Sequence, residues 1–315
     1  MIVVCGEALI DLFVGQPEGA EMPARAVAGG SPFNVAIGLA RQGAPAAFLG
    51  GVSRDRFGEW LAERLRREGV DERFMVRTNR LTTLSAVTTA ADGQPRYSFH
   101  GEGAADRSPT LADMPESLPD AVQALAFGSY TMVVDPVGAS FAALAERERH
   151  RRVISVDPNL RPSVLGDMAL WEKAAEPFYR MATIVKASDE DVDIAWGGRF
   201  SVTDAGAWWL DRGASLVVIT TGGDGAVAFS AAGRIAVPGR PVPVQDTVGA
   251  GDSFHAALLA QLWRTGRLSQ PAIAALDLPA IRELIVYATA AAAITVGRRG
   301  ADLPTAAEVA ASLRP

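Results

Sequence analysis

Short apolar runs and helical patterns alternate along most of this 315-residue chain. The short runs are rich in β-branched residues, which is typical of strands in a sheet covered on both faces. The stretches between them repeat apolar residues at helical spacing. This alternation predicts a mostly parallel central sheet flanked by helices. The predicted strands are Ile2–Cys5, Ala46–Leu49, Ala124–Phe127, Val153–Val156, Thr183–Val185 and Leu216–Ile219, and the predicted helices are Asn34–Gln42, Phe57–Glu68, Ala139–Arg149, Trp171–Tyr179 and Asp204–Asp211.

Two insertions, at about residues 9–30 and 82–105, interrupt this alternation. The first joins the apolar run Leu9–Val14 to a stretch rich in Pro, Ala and Gly. In the second, apolar and polar residues alternate on both sides of the turn Asp92–Pro95, as in a β-hairpin. We expect the two insertions to pair as a small β-sheet that covers one edge of the main sheet like a lid.

The composition is that of an ordinary globular protein, with 49% hydrophobic and 21% charged residues. The formal net charge of −6 argues against nucleic acid or an anionic membrane surface as a partner. Neither a signal peptide nor an uninterrupted apolar run of about 18 residues is visible, so we expect a cytoplasmic protein without a membrane span. The single cysteine, Cys5, excludes an intrachain disulfide.

The segment Asp246–Asp252 places small residues and a carboxylate at the start of a predicted helix. Unpaired N–H groups and the helix dipole attract anions there, and Gly249, Ala250 and Gly251 let an anion approach the backbone. Asp252 would lie beside the anion, where it can accept a proton from a hydroxyl. The arrangement suits phosphoryl transfer to an alcohol, although a glycine-rich turn with Asp252 as an ordinary helix cap has the same pattern.

Two further glycine-rich segments lie next to predicted elements. Thr220–Gly225 follows a strand, where α/β proteins bind ligands, and indicates either a nucleotide-phosphate contact or a hairpin turn. Gly29 and Gly30 precede a helix and permit close approach of a ligand. Asn34 can both donate to and accept from a hydroxylated ligand. Ser31 also fits the N-cap position of that helix.

Several charged or polar residues are candidates for ligand contacts. Asp11 suits sugar hydroxyls and Arg161 offers a planar group for phosphate or carboxylate, while both also fit solvated surface positions. The acidic run Lys186–Asp191 suits hydrated Mg²⁺ or a solvated helix start. His100, in the second insertion, is a candidate substrate contact. His255 lies three residues after Asp252, on the same helix face, and is either a packing or hydrogen-bonding neighbour or else a base or a nucleotide contact.

Together these motifs resemble the ribokinase-like (PfkB) carbohydrate kinases, and most closely their bacterial fructokinase branch. The order and spacing of the segments are highly specific, and the resemblance extends over nearly the whole chain. It implies one ribokinase-like catalytic domain over residues 1–315, with a Rossmann-like sheet and a β-sheet lid. The segments that carry it are Gly6–Asp11, Gly29–Ala36, Gly51–Gly58, Gly103–Asp106, Asp157–Arg161, Thr220–Gly225 and Asp246–Asp252.

The resemblance implies that the chain transfers the γ-phosphoryl group of MgATP to a sugar hydroxyl. Asp252 would be the base, and the N–H groups of Gly249, Ala250 and Gly251 would form the anion hole. A monovalent cation such as K⁺ would bind Asp246 and the carbonyl of Val248. With the candidates above, the assigned sugar contacts are Asp11, Gly29, Gly30, Asn34, His100 and Arg161, and the assigned nucleotide contacts are Lys186, Ser188, Thr220, Gly222, Gly225 and Gly251.

Three positions depart from the family pattern. Ser188 and Asp191 stand where Asn and Glu are common, and Asp191 is assigned to Mg²⁺ because a shorter carboxylate can still organise a hydrated ion. Thr289 stands where Asn is common, so no nucleotide contact is assigned to it.

The charge of the lid indicates which sugar is used. Relatives that phosphorylate 2-keto-3-deoxygluconate commonly have Tyr-x-Arg in the lid, whereas the run Tyr97–Glu102 has an acid near the arginine position. That carboxylate would repel a sugar acid, so we expect D-fructose as substrate, with 2-keto-3-deoxygluconate and ribose as alternatives. The alternative from another class is a non-catalytic sugar or nucleotide sensor on the same fold. The exposed lid strands predict a homodimer formed through the lid.

Overall fold

The computed structural model describes residues 1–89, 95–164 and 166–314. Its strands are β1 (Ile2–Cys5), β2 (Leu9–Val14), β3 (Ala24–Gly29), β4 (Ala46–Leu49), β5 (Gly51–Ser53), β6 (Val76–Thr78), β7 (Leu84–Thr89), β8 (Pro95–His100), β9 (Ala124–Gly128), β10 (Val153–Asp157), β11 (Ile184–Ser188), β12 (Leu216–Thr220), β13 (Gly225–Ser230) and β14 (Gly233–Pro238). Its helices are α1 (Ser31–Arg41), α2 (Arg56–Arg67), α3 (Val137–Glu148), α4 (Met168–Met181), α5 (Asp189–Trp196), α6 (Val202–Asp211), α7 (Ala250–Arg264), α8 (Gln270–Ala274), α9 (Leu278–Val296) and α10 (Ala306–Ser312).

The main sheet has eight strands in the order β14-β13-β12-β11-β10-β9-β1-β4. The strands from β12 to β4 run parallel, and β13 and β14 extend one edge antiparallel. β1, β9 and β10 are buried along their whole length because helices cover both faces of the sheet. The prediction of a mostly parallel, helix-flanked sheet is therefore confirmed.

Two hydrophobic cores lie on opposite faces of this sheet. Because side chains alternate along a strand, Ile2 and Val4 of β1 point into one core, whereas Val3 and Cys5 point into the other. The first core packs against α1, α7 and α9, and the second against α3, α4 and α6. The result is a three-layer α/β/α arrangement that holds the ends of the parallel strands in fixed positions.

A second, four-stranded sheet, here called the small sheet, has the order β3-β2-β7-β8. Its strands fall within the insertions 9–30 and 82–105. The register places Asp11 opposite Ser85 and Ser85 opposite Phe99, so these three side chains share one face. His100 pairs with Leu84 and therefore lies on the other face. Of the predicted hairpin turn, residues 92–94 lie outside the described residues.

The start of α1 differs from the prediction. The helix begins at Ser31 and not at Asn34, and Ser31 is not its N-cap. Gly30 occupies the N-cap position with a φ of 105°, which a residue with a Cβ rarely adopts, and no side chain caps the helix. Ser31 fails as a cap because its hydroxyl donates to the carboxylate of Asp252 instead.

The carboxyl ends of the parallel strands carry several polar residues. Asp157 ends β10, Lys186 lies near the end of β11, and Thr220 ends β12. Glu7 lies two residues after the end of β1, and the start of α7 lies next to Lys186 at the same edge of the sheet. Ligands in open α/β sheets bind at this edge, so the fold brings these residues to the expected place.

α9 is the one described helix with the length and apolar composition of a membrane span. It packs against α7, α10 and the strands β13 and β14, and half of its apolar window is buried. We interpret it as a core helix of the folded domain.

Candidate active site

Asp252 lies in the first turn of α7, and both of its carboxylate oxygens accept hydrogen bonds from α1. Ser31 Oγ donates to Oδ1 at 2.6 Å, and Asn34 Nδ2 donates to Oδ2 at 2.8 Å. Burial raises the pKa of Asp252, and these two hydrogen bonds together with the ammonium group of Lys186 oppose that rise. Gly249 is the N-cap of α7 and no side chain caps it, so Asp252 does not serve as the ordinary helix cap that its sequence also allowed.

The N-terminus of α7 is built from residues that keep its backbone accessible. Gly249 has a φ of 80°, and a Cβ there would lie 2.6 Å from the Cβ of Ala301. The N–H of Ala250 donates to the carbonyl of Thr247 at 3.2 Å. A Cβ on Gly251 would lie 2.9 Å from Nζ of Lys186, so an ammonium group sits directly beside this helix start. The first N–H groups of a helix lack intrahelical acceptors, and with the adjacent cation they form a site for an anion.

Lys186 and Asp157 form an ion pair beneath this anion site. Nζ of Lys186 lies 2.9 Å from Oδ2 of Asp157, and both side chains are about 95% buried. Burial would lower the pKa of Lys186, but the carboxylates of Asp157 and Asp191 outweigh it and keep the pKa above its ordinary value. Lys186 is therefore a permanent positive charge. His255 is buried and bonds to Ser155 Oγ at 2.7 Å, so its hydrogen-bond partner is Ser155 and not Asp252 as predicted, and burial lowers its pKa to about 3.

Three of the predicted sugar residues lie on the small sheet and on α1, namely Asp11 on β2, Gly29 at the end of β3 and Asn34 on α1. A Cβ on Gly29 would lie 2.3 Å from Oδ2 of Asp11, so a larger residue there would have to displace that carboxylate. Burial raises the pKa of Asp11, and the nearby guanidinium of Arg161 lowers it. Arg161 donates to the carbonyl of Leu160 at 2.9 Å. Together with Asn34, which donates to Asp252, these side chains can bind several hydroxyl groups.

Tyr97 was not predicted as a ligand contact, yet it and not His100 lies on the face of the small sheet that carries Asp11. Burial and the charge of Asp11 raise the pKa of Tyr97. His100 and Glu102 are exposed, and His100 lies on the opposite face. The structure therefore does not bring His100 to Asp11. The period-two alternation of the strand, counted from Asp11 through its partners, is the signal that separates the two residues.

Glu7 is a second residue that was not predicted as part of the site. Its side chain is buried, Oε1 accepts the N–H of Ser31 at 3.3 Å, and Oε2 accepts the hydroxyl of Thr131 at 3.2 Å. Burial raises the pKa of Glu7 to about 8, and the buried carboxyl of Asp106 adds to the rise. An acidic residue two positions after a buried strand was the available signal. Glu7 ties the start of α1 to the end of β1.

A cavity of about 320 Å³ opens beside the anion site, between the β12–β13 turn, α7 and α9. This volume is in the range of small-ligand sites. The predicted nucleotide residues Thr220, Gly222, Gly225 and Gly251 line it, and so does Thr289, whose hydroxyl has no partner within the described part of the chain. Lys186 and Ser188 do not line it.

The predicted Mg²⁺ residue, Asp191, is already engaged in hydrogen bonds. Its carboxylate accepts the N–H of Leu160 at 2.8 Å and both the N–H and the hydroxyl of Ser188, at 2.9 and 2.7 Å. Ser188 and Asp191 thereby cap α5 and fix the backbone next to Arg161. Little acceptor capacity remains, so direct ligation of Mg²⁺ by Asp191 does not fit. Among residues 1–89, 95–164 and 166–314, no three His, Cys, Asp or Glu side chains form a metal-binding group.

The predicted monovalent-cation loop has a suitable set of oxygen atoms. Oδ1 of Asp246 accepts the N–H of Val248 at 3.0 Å, and Oδ2 accepts the N–H of Gly300 at 2.9 Å. These bonds hold the loop 246–249 against the loop 297–301. Each carboxylate oxygen of Asp246 keeps acceptor capacity beyond these bonds, and carboxylate oxygens are ligands that a hard cation prefers.

Comparisons with known proteins identify the family. A family model for pfkB family carbohydrate kinases matches residues 1–307. A fructokinase from Rhizobium leguminosarum bv. trifolii is 41% identical over 283 residues, which cover 90% of this chain and 86% of that protein. The crystal structure of an ATP-bound fructokinase from Xylella fastidiosa is similar, with a TM-score of 0.89 at 27% identity, covering 99% of this chain and 97% of that one. A double mutant of Vibrio cholerae O395 fructokinase, with fructose, ADP and a potassium ion bound, has a TM-score of 0.83 at 26% identity over 99% and 98% of the two chains. The chain belongs to the PfkB family of carbohydrate kinases.

Proposed function

We propose that this chain is an ATP-dependent fructokinase. The observation that carries the proposal is the position of Asp252, a carboxylate with a raised pKa at the mouth of an anion site and facing the sugar residues of α1. A general base works best when its pKa is shifted toward the working pH. The 41% identity to a bacterial fructokinase supports fructose as the acceptor.

In the proposed reaction, Asp252 accepts the proton of one sugar hydroxyl while that oxygen attacks the γ-phosphorus of ATP. The new P–O bond forms as the bond to the bridging oxygen breaks, and ADP leaves. Charge that develops on the transferring group would be stabilised by Lys186 and by the N–H groups of Gly249 and Gly251. The N–H of Ala250 would have to leave the carbonyl of Thr247 to join them. Such pre-positioned electrostatic groups supply most of the catalysis in phosphoryl transfer.

We place ATP in the 320 Å³ cavity, with its phosphates directed to the start of α7. Thr220, Gly222 and Gly225 would contact the nucleotide there. Lys186 would act from below the anion site, and Ser188 would act by capping α5, since neither lines the cavity. Mg²⁺ would enter on the ATP phosphates with its water shell, because the protein offers it no free carboxylate cluster among the described residues. K⁺ would bind the Asp246 and Val248 loop.

We place fructose between the small sheet and α1. Asp11 and Asn34 would accept and donate hydrogen bonds to its hydroxyls, with Gly29 and Gly30 allowing close approach and Arg161 at the side of the phosphoryl group. The small sheet would close over the sugar and exclude water, which suppresses wasteful hydrolysis of ATP. Its edge strands β3 and β8 also offer a surface for pairing with a second copy of the chain. The cytoplasm, where ATP is available, is the proposed location.

The test measures ADP release from MgATP and fructose by the wild-type chain and by Asp252→Asn. We expect the variant to keep its fold and its ATP affinity while turnover falls by several orders of magnitude. Asp120→Asn, which removes a solvent-exposed carboxylate, is the control and should retain turnover. Near-normal turnover of Asp252→Asn would contradict the proposed mechanism.

A further inference from the structure

Ser31 links the candidate base to a buried anchor. Its N–H donates to Oε1 of Glu7 at 3.3 Å, and its hydroxyl donates to Oδ1 of Asp252 at 2.6 Å. Glu7 is itself fixed by the hydroxyl of Thr131. A Cβ on Gly30 would lie 2.7 Å from the carbonyl oxygen of Glu7, so the backbone before Ser31 is also pressed against this anchor. The backbone that carries the Ser31 hydroxyl is therefore held in place by Glu7.

Ser31 and Asn34, the two hydrogen-bond donors to Asp252, differ in the other acceptors that they can reach. Asn34 lies one helical turn after Ser31 and belongs to the sugar residues, so its amide has a competing acceptor once a sugar is bound. Ser31 makes its bond from the first residue of α1 and is held by its own backbone. A carboxylate held at one oxygen by a short hydrogen bond keeps its other oxygen free to face a substrate hydroxyl.

We propose that Ser31 is a positioning residue for the transfer reaction, because its hydroxyl fixes Oδ1 of Asp252 and thereby presents Oδ2 to the sugar hydroxyl when Asn34 turns to the sugar. This inference rests on the proposed role of Asp252 as the base. Ser31 touches neither the transferred group nor the sugar in this role, and it acts only through Asp252.

The charged groups around Asp252 also affect its protonation. The charged groups that face Asp252 from neighbouring elements are Lys186 on β11, Asp157 on β10 and Asp11 on β2. Lys186 favours the ionised form of Asp252, whereas Asp157 and Asp11 disfavour it. Because the Ser31 bond also favours the ionised form, its removal should shift the protonation of Asp252 to higher pH.

The experiment measures kcat and KM for fructose and MgATP from pH 5 to pH 9 in wild type, Ser31→Ala and Ser31→Thr. In Ser31→Ala we expect kcat to fall about tenfold at neutral pH, and the acid limb of the kcat profile to move up by about one pH unit, with KM for ATP unchanged. Ser31→Thr retains the hydroxyl and should restore the position of the limb.

Ser201→Ala is the matched control, since it removes a hydroxyl that bonds at the start of α6, far in the chain from this site. It should leave the acid limb where it is. If Asp252→Asn is inactive but the acid limb of Ser31→Ala does not move, the inference about Ser31 is wrong and the proposed function stands. A general loss of thermal stability without a shift would also overturn it, because that is the signature of a purely structural hydroxyl. Full turnover in Asp252→Asn would overturn both the inference and the proposed function.

Discussion

The ammonium group of Lys186 lies 2.9 Å from Oδ2 of Asp157, in a position where a Cβ on Gly251 would almost touch it. The pair therefore sits directly beneath the start of α7. One oxygen of Asp157, Oδ1, is buried and has no hydrogen-bond partner within the described residues. Asp157 thus holds the positive charge of Lys186 near the place where the proposed reaction brings the negatively charged phosphate groups of ATP.

Replacing Lys186 with Met should reduce kcat by about 10²–10³-fold, because a pre-positioned charge beside the transferring phosphoryl group is lost. It should also destabilise the fold by about 3–5 kcal/mol, since Asp157 remains as an uncompensated buried charge. Steady-state kinetics and chemical denaturation measure the two effects. The double variant Lys186→Met/Asp157→Asn separates them, because it should regain stability without regaining turnover. Recovery of turnover in the double variant would show that Lys186 serves the fold alone.

Replacing Gly251 with Ala should lower kcat by about 10–10²-fold, because the added Cβ would lie 2.9 Å from Nζ of Lys186 and must displace that group or the helix start. Gly166→Ala is the control, since its added Cβ would meet nothing closer than 3.9 Å. The measurement is kcat with saturating MgATP and fructose. Equal turnover of the two variants would exclude a close approach at Gly251.

Replacing Glu7 with Gln should stabilise the protein at high pH. Burial raises the pKa of Glu7 from its ordinary value of 4.5 to about 8, so the folded state holds this proton more tightly than the unfolded state. The stability that the neutral carboxyl contributes is complete below pH 4.5, declines as pH rises, and is lost above pH 8. Gln keeps the acceptor for Ser31 and has no proton to lose.

The difference in the free energy of unfolding between Glu7→Gln and wild type should therefore widen between pH 5 and pH 8 and then level off. Urea denaturation at a series of pH values measures it. A difference that stays constant with pH would mean that Glu7 titrates near its ordinary value.

Activity should rise severalfold when K⁺ replaces a bulky organic cation such as tetramethylammonium at equal ionic strength. The reason is that Asp246 holds the loop 246–249 against the loop 297–301, and a cation there would stiffen the residues leading into the anion site. Asp246→Ala should abolish the response. A wild-type enzyme that does not distinguish the two cations would leave this loop without a cation role.

The fold could be predicted largely from the sequence because its signals are local. Ile2–Cys5 and Ala46–Leu49 are continuous apolar runs with the bounds that the structure has, since strands buried on both faces admit few polar residues. The predicted ends of strands and helices were less accurate than the predicted elements themselves. β11 continues to Ser188 beyond the predicted Val185, because Lys186 and Ser188 are polar residues that find partners inside the structure.

The site could be predicted in part, and the errors have one cause. The backbone features, such as the glycines of Asp246–Asp252, follow from local geometry. Contacts between distant segments do not. Ser31 looks like a helix cap until α7 brings Asp252, 221 residues away, within 2.6 Å. Whether His100 or Tyr97 shares a face with Asp11 depends on the strand register of the small sheet. A shift of that register by one residue would move every side chain of the strand to the other face.

The most direct test of the central claim is kcat/KM with MgATP for D-fructose, D-ribose and 2-keto-3-deoxygluconate, measured by ADP release and by identification of the phosphorylated sugar. The account predicts that D-fructose has the highest kcat/KM of the three, and that Asp252→Asn loses turnover with it. A higher kcat/KM for 2-keto-3-deoxygluconate or D-ribose, or release of ADP without a phosphorylated sugar, would contradict it.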